Sequence, residues 1–292
     1  MIRTGKKFSK PEMSRVINGD TVIDEAPEKP KKIRLDTMMV GIYKSYNRST
    51  IQKFIKNGFV EVDDEPVLKP NALFSEGVKI DLKVPAALKN ADVKPEVIYE
   101  DENVLVLDKP AGLLSMAKGG YCPEKTLEDF GLLVHRLDRD TSGAVILAKN
   151  PKTQTMLRRQ FQDRKAHKTY YAILTGVPKL KEARLDLPIM RDLKHPTTFR
   201  VDPRGKESET FYKVIKEDGK HALVELKPTS GRTHQLRVHM KYLEHPIVGD
   251  PIYGTEKGER LYLHAGELEI TLPGGKREIF KAKLPESFEN VF

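Results

Sequence analysis

Apolar positions along the chain fall more often into short alternating or continuous runs than into helical stripes, and no sustained period starts before residue 33. Residues 1–32 close on Glu28-Lys29-Pro30-Lys31-Lys32 and are expected to form a flexible tail. A compact module is predicted over 33–84. In it Ser49 would cap a helix whose apolar stripe is Ile51, Phe54 and Ile55 and whose end is Gly58. Strand-like runs follow at Phe59–Val62 and Val78–Leu82. Residues 85–95 have a proline at each end and no alternation, the pattern of a linker.

From residue 96 to 292 the pattern is that of a strand-rich domain with a few helices. Val97–Glu100 and Val104–Leu107 flank Asp101-Glu102-Asn103 and predict a hairpin. Ala144–Ala148 is a short, wholly apolar strand. Asn150-Pro151 then opens a helix carrying Met156, Leu157 and Phe161, with proline at its first position. Lys168–Leu174 alternates loosely as a strand. Phe211–Lys216 and Ala222–Leu226 form a hairpin around Asp218-Gly219. Leu236, His239, Met240 and Leu243 recur at helical spacing between Arg232 and Leu243. The fold class expected is α+β: a mixed, mainly antiparallel sheet with flanking helices, preceded by a small α+β module.

Composition narrows the function classes. The 292 residues are 38% hydrophobic and 32% charged, the balance of a soluble globular protein. Tryptophan is absent and aromatics make up only 7%, which disfavours a protein built on stacking platforms. Lys and Arg number 51 against 42 Asp and Glu, a net charge of +9 that suits a polyanionic partner. The single cysteine, Cys122, excludes an internal disulfide and a four-cysteine zinc site. It is read as an incidental thiol. The N-terminus lacks the apolar segment of a signal peptide, and no apolar run reaches the ~20 residues of a membrane helix. A cytoplasmic, monomeric protein without a membrane is expected.

The densest polar stretch is His135-Arg136-Leu137-Asp138-Arg139-Asp140-Thr141-Ser142-Gly143, immediately before the apolar strand. A polar loop held by a rigid element is where catalytic groups tend to lie. Asp138 stands between Arg136 and Arg139, and nearby guanidinium groups favour a carboxylate's charged form. Such a carboxylate can serve as nucleophile, base or charge stabiliser, or simply as half of a structural ion pair; spacing alone leaves these readings even. Metal chemistry is not expected. His234 and His239 are five apart rather than at the i, i+4 spacing that puts two ligands on one helical face. His135, His245 and His264 have no partner at ligand spacing.

Five ordered segments carry a family resemblance. Asp108-Lys109-Pro110-Ala111-Gly112 is followed by His135-Arg136-Leu137-Asp138 with Thr141-Ser142-Gly143, and then by Lys168-Thr169-Tyr170. Gly231-Arg232-Thr233-His234-Gln235-Leu236-Arg237-Val238-His239 and His245-Pro246-Ile247-Val248-Gly249-Asp250 complete the series. Together they resemble the large-subunit ribosomal RNA pseudouridine synthases of the RluA type. The module at 33–84, through Ile33-Arg34-Leu35-Asp36 and Arg48–Val60, resembles an S4 domain, a small RNA-binding fold. The resemblance implies a cofactor-free enzyme acting on RNA, with Asp138 as the catalytic aspartate, Tyr170 packing on the target base and Arg232 pairing with Asp138. Arg237 is the other candidate for that pairing, five residues on. It implies that Arg136 enters the RNA stack where the flipped base was, and that Arg48, Lys53 and Lys56 face RNA. His135, Arg139, Lys168 and Arg237 complete the set expected to contact RNA. Tyr171, next to Tyr170, could take its place, since alternation turns only one of the two to the site.

Two further basic stretches, beside a polyanion-binding site, are read as phosphate contacts, with ordinary solvated surface as the alternative. One is Lys152, Arg158, Arg159, Arg164, Lys165 and Lys168, opposed by Asp163 alone. The other is Arg191–Lys206, with five Lys or Arg against two Asp. Only 22 residues separate Gly112 from His135, shorter than the resemblance leads one to expect, which bears on the target nucleotide. Ribosomal RNA is the expected substrate, transfer RNA the alternative. A non-catalytic ribosome-assembly factor on the same fold is the competing class. A nuclease, which needs clustered carboxylates for Mg²⁺, is poorly served by Asp138-Arg139-Asp140.

Overall fold

A computed structural model describes residues 32–44, 46–83, 92–117 and 124–292. The expected N-terminal tail up to residue 31, residues 85–91 of the expected linker, and Cys122 lie outside the described residues. The chain divides into two compact units, Met1–Val84 and Pro85–Phe292.

The first unit holds β1 (Lys32–Arg34), α1 (Leu35–Ile42), α2 (Arg48–Lys56), β2 (Val60–Val62), β3 (Glu65–Pro66), β4 (Leu73–Ser75) and β5 (Ile80–Leu82). β1 pairs with β4, and β2 runs between β3 and β5, all antiparallel. The helix expected from Ser49 is α2, but its N-cap is Asn47, whose side chain accepts from the Thr50 amide at 2.9 Å. It ends as expected at Gly58, which at φ 76° closes a Schellman pair: Phe59 N–H to Phe54 carbonyl and Gly58 N–H to Ile55 carbonyl. Leu35, Met39, Ile51, Phe54 and Ile55 form the core between the helices. Asp36 is fully buried there. Its carboxylate accepts from Arg34 (3.0 Å from both Nε and Nη2), Gln52 (2.7 Å) and Arg48 (3.1 Å). The Arg34 hydrogen bonds hold it far below the usual carboxylate range, against the opposing pull of burial. Arg48 gives its guanidinium to Asp36 yet stays exposed, as do Lys53 and Lys56.

The second unit is built on one ten-stranded sheet. Its strands are β6 (Glu96–Glu100), β7 (Val104–Lys109), β8 (Leu132–Leu133), β9 (Ser142–Ala148), β10 (His167–Thr175), β11 (Glu182–Asp186), β14 (Glu209–Glu217), β15 (His221–Pro228), β16 (Leu263–Thr271) and β17 (Arg277–Lys281). A separate hairpin, β12 (Ile189–Arg191) and β13 (Phe199–Val201), lies between β11 and β14 in sequence. The order is β11-β14-β15-β10-β16-β9-β7-β6, with β17 on β16 and β8 on β9. Every pairing is antiparallel except β9 with β16, which meet parallel over two residue pairs, His264 with Ser142 and Ala265 with Gly143. At that crossing a Cβ on Gly143 would stand 2.2 Å from the Ala265 carbonyl oxygen, and φ there is 117°, so the position requires glycine.

The continuous apolar run of β9 is explained by burial on both faces. Ala144, Ile146 and Ala148 pack under α3 (Pro151–Gln162) with Leu157, while Val145 and Leu147 pack with Leu113, Leu127 and Leu137. Asn150 caps α3, with Pro151 at its first turn. A fourth helix, α4 (Gln235–Tyr242), packs Leu236 and Met240 on the β10–β15 side of the sheet. The mixed, mainly antiparallel sheet with flanking helices agrees with the expected fold class.

Candidate active site

Leu137 is the anchor of the loop that carries Asp138. Its side chain is buried, its amide donates to Ser115 Oγ (3.1 Å), and the Ser115 hydroxyl in turn donates to its carbonyl (2.7 Å). A second tie comes from Lys109 at the end of β7. Its fully buried ammonium donates to the carbonyls of Pro110 (2.9 Å), Leu113 (2.8 Å) and Arg139 (2.8 Å), so it joins the loop after β7 to the residue following Asp138. Burial pulls this amine down to about 7, with Asp140 and Asp138 acting in the opposite sense.

Neither sequence neighbour pairs with Asp138. Arg136 lies exposed and donates to Thr233 Oγ1 at 3.3 Å; Arg139 donates to the Gly112 carbonyl at 3.1 Å and pairs with Glu124. The expected pairing with Arg232 is also corrected, since that side chain is exposed and its Nε donates to the Glu207 carbonyl at 3.0 Å. The partner is Arg237. It is buried, its Nη1 reaches Asp138 Oδ2 at 3.2 Å, and its Nε and Nη2 form a bidentate pair with Asp250, both at 2.7 Å. The reason is helical geometry. Arg232 precedes α4, whereas Arg237 lies within it among its buried residues. Burial alone would push the Asp250 carboxyl up, but Arg237 and the amides of Tyr253 and Ile252 bring it below its ordinary value. Asp138 Oδ1 has no hydrogen-bond partner among the described residues.

These groups border a cavity of about 520 Å³, lined among others by Arg136, Asp138, Phe161, Lys168, Tyr170 and His234. Tyr170 on β10 lines it, while Tyr171 turns its ring onto Gly266. Burial, and then the charge of Asp138, raise the Tyr170 phenol well above its ordinary value, so it is a neutral hydroxyl. Lys168 donates to the Ser230 carbonyl at 3.2 Å, and burial lowers its amine to about 8. His135 stacks on Phe161 with centroids 4.5 Å apart, and its Nε2 accepts from the Ile146 amide at 3.2 Å. Burial, with Lys168 nearby, takes its imidazole down to about 3. His135 is thus a neutral ring built into the wall.

The opposite wall is shaped by Gln235, the first residue of α4. Its Oε1 accepts from Ser230 Oγ (2.7 Å) and the Arg232 amide (3.0 Å), and its Nε2 donates to the Glu209 carbonyl (2.9 Å). His234 caps that helix at φ 57°, with Nε2 3.9 Å from Asp138 Oδ2 and Nδ1 2.8 Å from the Tyr253 hydroxyl. Sequence reasoning does not single out Asp250, Tyr253 or Lys109 as site residues. Each acts through a contact far along the chain, and only their presence in or beside the quoted segments marks them. Among the described residues no three His, Cys, Asp or Glu side chains cluster as a metal site, and no helix is long and apolar enough to cross a membrane.

Three comparisons with known proteins bear on this geometry. The family model for RNA pseudouridylate synthase matches residues 103–242. The chain is similar to ribosomal large subunit pseudouridine synthase D of Borreliella burgdorferi, at 35% identity over 89% of this chain and 89% of the relative. It is also similar to the dual-specificity RNA pseudouridine synthase RluA of Vibrio parahaemolyticus, at 40% identity over 68% of this chain and 87% of that one. Among solved structures, human RNA pseudouridylate synthase domain containing 1 superposes with a TM-score of 0.57 at 27% identity, over 68% of this chain and 86% of that one. The class these matches define is an RNA-modifying isomerase. The chain belongs to the RNA pseudouridine synthase family: it is an enzyme that converts uridine in RNA to pseudouridine.

Proposed function

We propose that Asp138 is the carboxylate that carries the isomerisation, with Arg237 as its partner in place of Arg232. The observation that carries this reading is the chain Asp138–Arg237–Asp250, which engages Oδ2 and leaves Oδ1 without a partner among the described residues at the cavity. Breaking the bond between uracil N1 and C1′ leaves the electron pair on the base and develops oxocarbenium character at C1′. A carboxylate oxygen beside C1′ stabilises that charge or captures it covalently. The base turns, C5 supplies the electron pair for the new bond to C1′, and C5 loses its proton while N1 gains one. Nothing is oxidised, and no water enters the product.

A base must leave its stack to reach Asp138, at a cost of a few kcal/mol that is least in loops and bulges. Tyr170 offers the flipped base a flat face with a neutral hydroxyl. Arg136, at the exposed rim and held by Thr233, offers a planar guanidinium to the vacated space. Phosphate contact along α3 fits the same picture. Arg164 borders the catalytic cavity and also a second cavity reaching Gly274–Gly275, while Gln160 and Lys165 connect that one to a third at Lys152 and Arg159. The first unit, with Lys53 and Lys56 exposed, serves as an S4-like RNA-gripping module.

Large-subunit ribosomal RNA is the substrate we infer, because relatives covered over most of their length carry that substrate in their names. The test is tritium release from [5-³H]uridine-labelled ribosomal and transfer RNA. Release from ribosomal RNA alone supports the assignment. Release from transfer RNA alone overturns it, and release from both places the enzyme with the dual-specificity type.

A further inference from the structure

The turn after Asp250 supports both groups that approach Asp138, and only one of them is the arginine. Asp250 clamps Arg237. Three residues on, the Tyr253 hydroxyl lies 2.8 Å from His234 Nδ1 and accepts from the Phe199 amide of the β12–β13 hairpin at 2.9 Å. Among the described residues His234 Nδ1 is the acceptor within reach of the phenolic proton, and Tyr253 is buried. A buried hydroxyl that donates nowhere is costly, so its proton goes to Nδ1. His234 Nδ1 is therefore the acceptor, and the imidazole proton sits on Nε2, the atom 3.9 Å from Asp138 Oδ2. Burial lowers the His234 imidazole and raises the Tyr253 phenol, in keeping with a neutral ring and a protonated hydroxyl.

Resting on the reading of Asp138 as the catalytic carboxylate, we propose that His234 is a positioning residue, fixed by Tyr253 in the Nε2–H tautomer so that it closes on Asp138 Oδ2 when RNA is bound. With Arg237 on the same oxygen, Oδ2 is held from two directions and Oδ1 is left to face C1′. The 3.9 Å separation is too long for a hydrogen bond in the free enzyme. A movement of about 1 Å makes one, and catalytic contacts commonly tighten only in the substrate complex. The left-handed backbone of His234, uncommon for a residue other than glycine, is what aims the ring across the cavity at the start of α4.

Two measurements test this. In ¹⁵N-imidazole-labelled enzyme, with the His234 signals assigned by their loss in His234→Asn, the proposal requires a bare Nδ1 and a protonated Nε2. Tyr253→Phe, which keeps the ring and its packing, converts them to a tautomer mixture. A protonated Nδ1 in the wild type, or no change in Tyr253→Phe, overturns the proposal. In single turnover on a modified RNA, Tyr253→Phe slows the reaction about tenfold, the worth of roughly one orienting hydrogen bond, with RNA affinity within about twofold. His234→Gln, which keeps a donor near the Nε2 position, retains more activity than His234→Asn. A purely backbone role predicts the reverse order, because Asn suits the left-handed conformation better than Gln. If Asp138→Asn is inactive while all three variants are fully active, this inference fails and the role of Asp138 stands. If Asp138→Asn turns over normally, the underlying reading fails instead.

Discussion

Asp138 owes its setting to residues about a hundred positions away. The two arginines beside it in sequence turn elsewhere, one to Thr233 and one to Glu124 and the Gly112 carbonyl, while Arg237 arrives from α4 already clamped by Asp250. Linear spacing can rank Asp138 as chemistry-bearing, but it cannot choose between Arg232 and Arg237, because that choice is made by where α4 begins. A second buried polar group gives a prediction about stability. His264 Nδ1 lies 2.8 Å from Ser142 Oγ, which accepts from Arg260, and burial pulls the imidazole down to about 4. Because the folded pKa lies below the unfolded value of about 6.5, the unfolded chain binds more protons between those values. Stability therefore falls as pH drops from about 6.5 toward 4, with His264 contributing up to about 1.4 kcal/mol per pH unit. Urea unfolding across that range checks it: His264→Gln has the shallower pH dependence, and parallel slopes would assign the acid sensitivity to other groups.

At the scale of elements, strands buried on both faces and helices with strong end signals are legible. The Ala144–Ala148 run is the core of β9, and Asn150-Pro151 opens α3. The central strand β16 is not, because His264 and Gly266 interrupt the apolar run of its fully buried first half and only its second half alternates. α1 gives no clear signal either, since Arg34 provides no side-chain cap and Gly41 sits in its last turn. The three-residue strands β1 and β4 are too short to show a period. The helix expected from Arg232 begins at Gln235, after the left-handed His234, and that shift moves the site. Lys109 links elements in a way no pattern announces. Lys109→Met would leave the Pro110 and Leu113 carbonyls without a donor among the described residues, while the Arg139 carbonyl keeps the Gly112 amide; the loss is about 3 kcal/mol on the usual cost of such groups. Because Arg139 follows Asp138, turnover should fall more than the unfolded fraction explains. A denaturant melt paired with single-turnover rates at a temperature where the variant is folded measures both effects. A loss confined to stability would make Lys109 a core pin only.

For the whole molecule, the net charge of +9 becomes informative once the cations have positions. Lys152, Arg164 and Lys165 border cavities that follow one another from the Asp138 cavity along α3, and Lys53 and Lys56 are exposed on the first unit. The α3 set makes a phosphate-binding prediction. Lys152→Ala with Arg164→Ala should weaken RNA binding and reduce the salt slope of log K by up to about one for every phosphate no longer neutralised, leaving the bound-state rate near wild type. An unchanged slope would return α3 to ordinary solvated surface. On the reading proposed above, charge at this scale governs grip on RNA, whereas chemistry stays with Asp138.

The most direct test of that division is Asp138→Asn, which keeps size and shape and removes the charged carboxylate. Single-turnover pseudouridine formation and RNA affinity are measured on the same preparation, with the unfolding midpoint as the check on folding. No detectable product is expected, with RNA affinity within about threefold of wild type, the change that follows when one group that does not grip the phosphate backbone is replaced. Turnover at the wild-type rate, or RNA binding abolished along with activity in a folded variant, would refute the role assigned to Asp138.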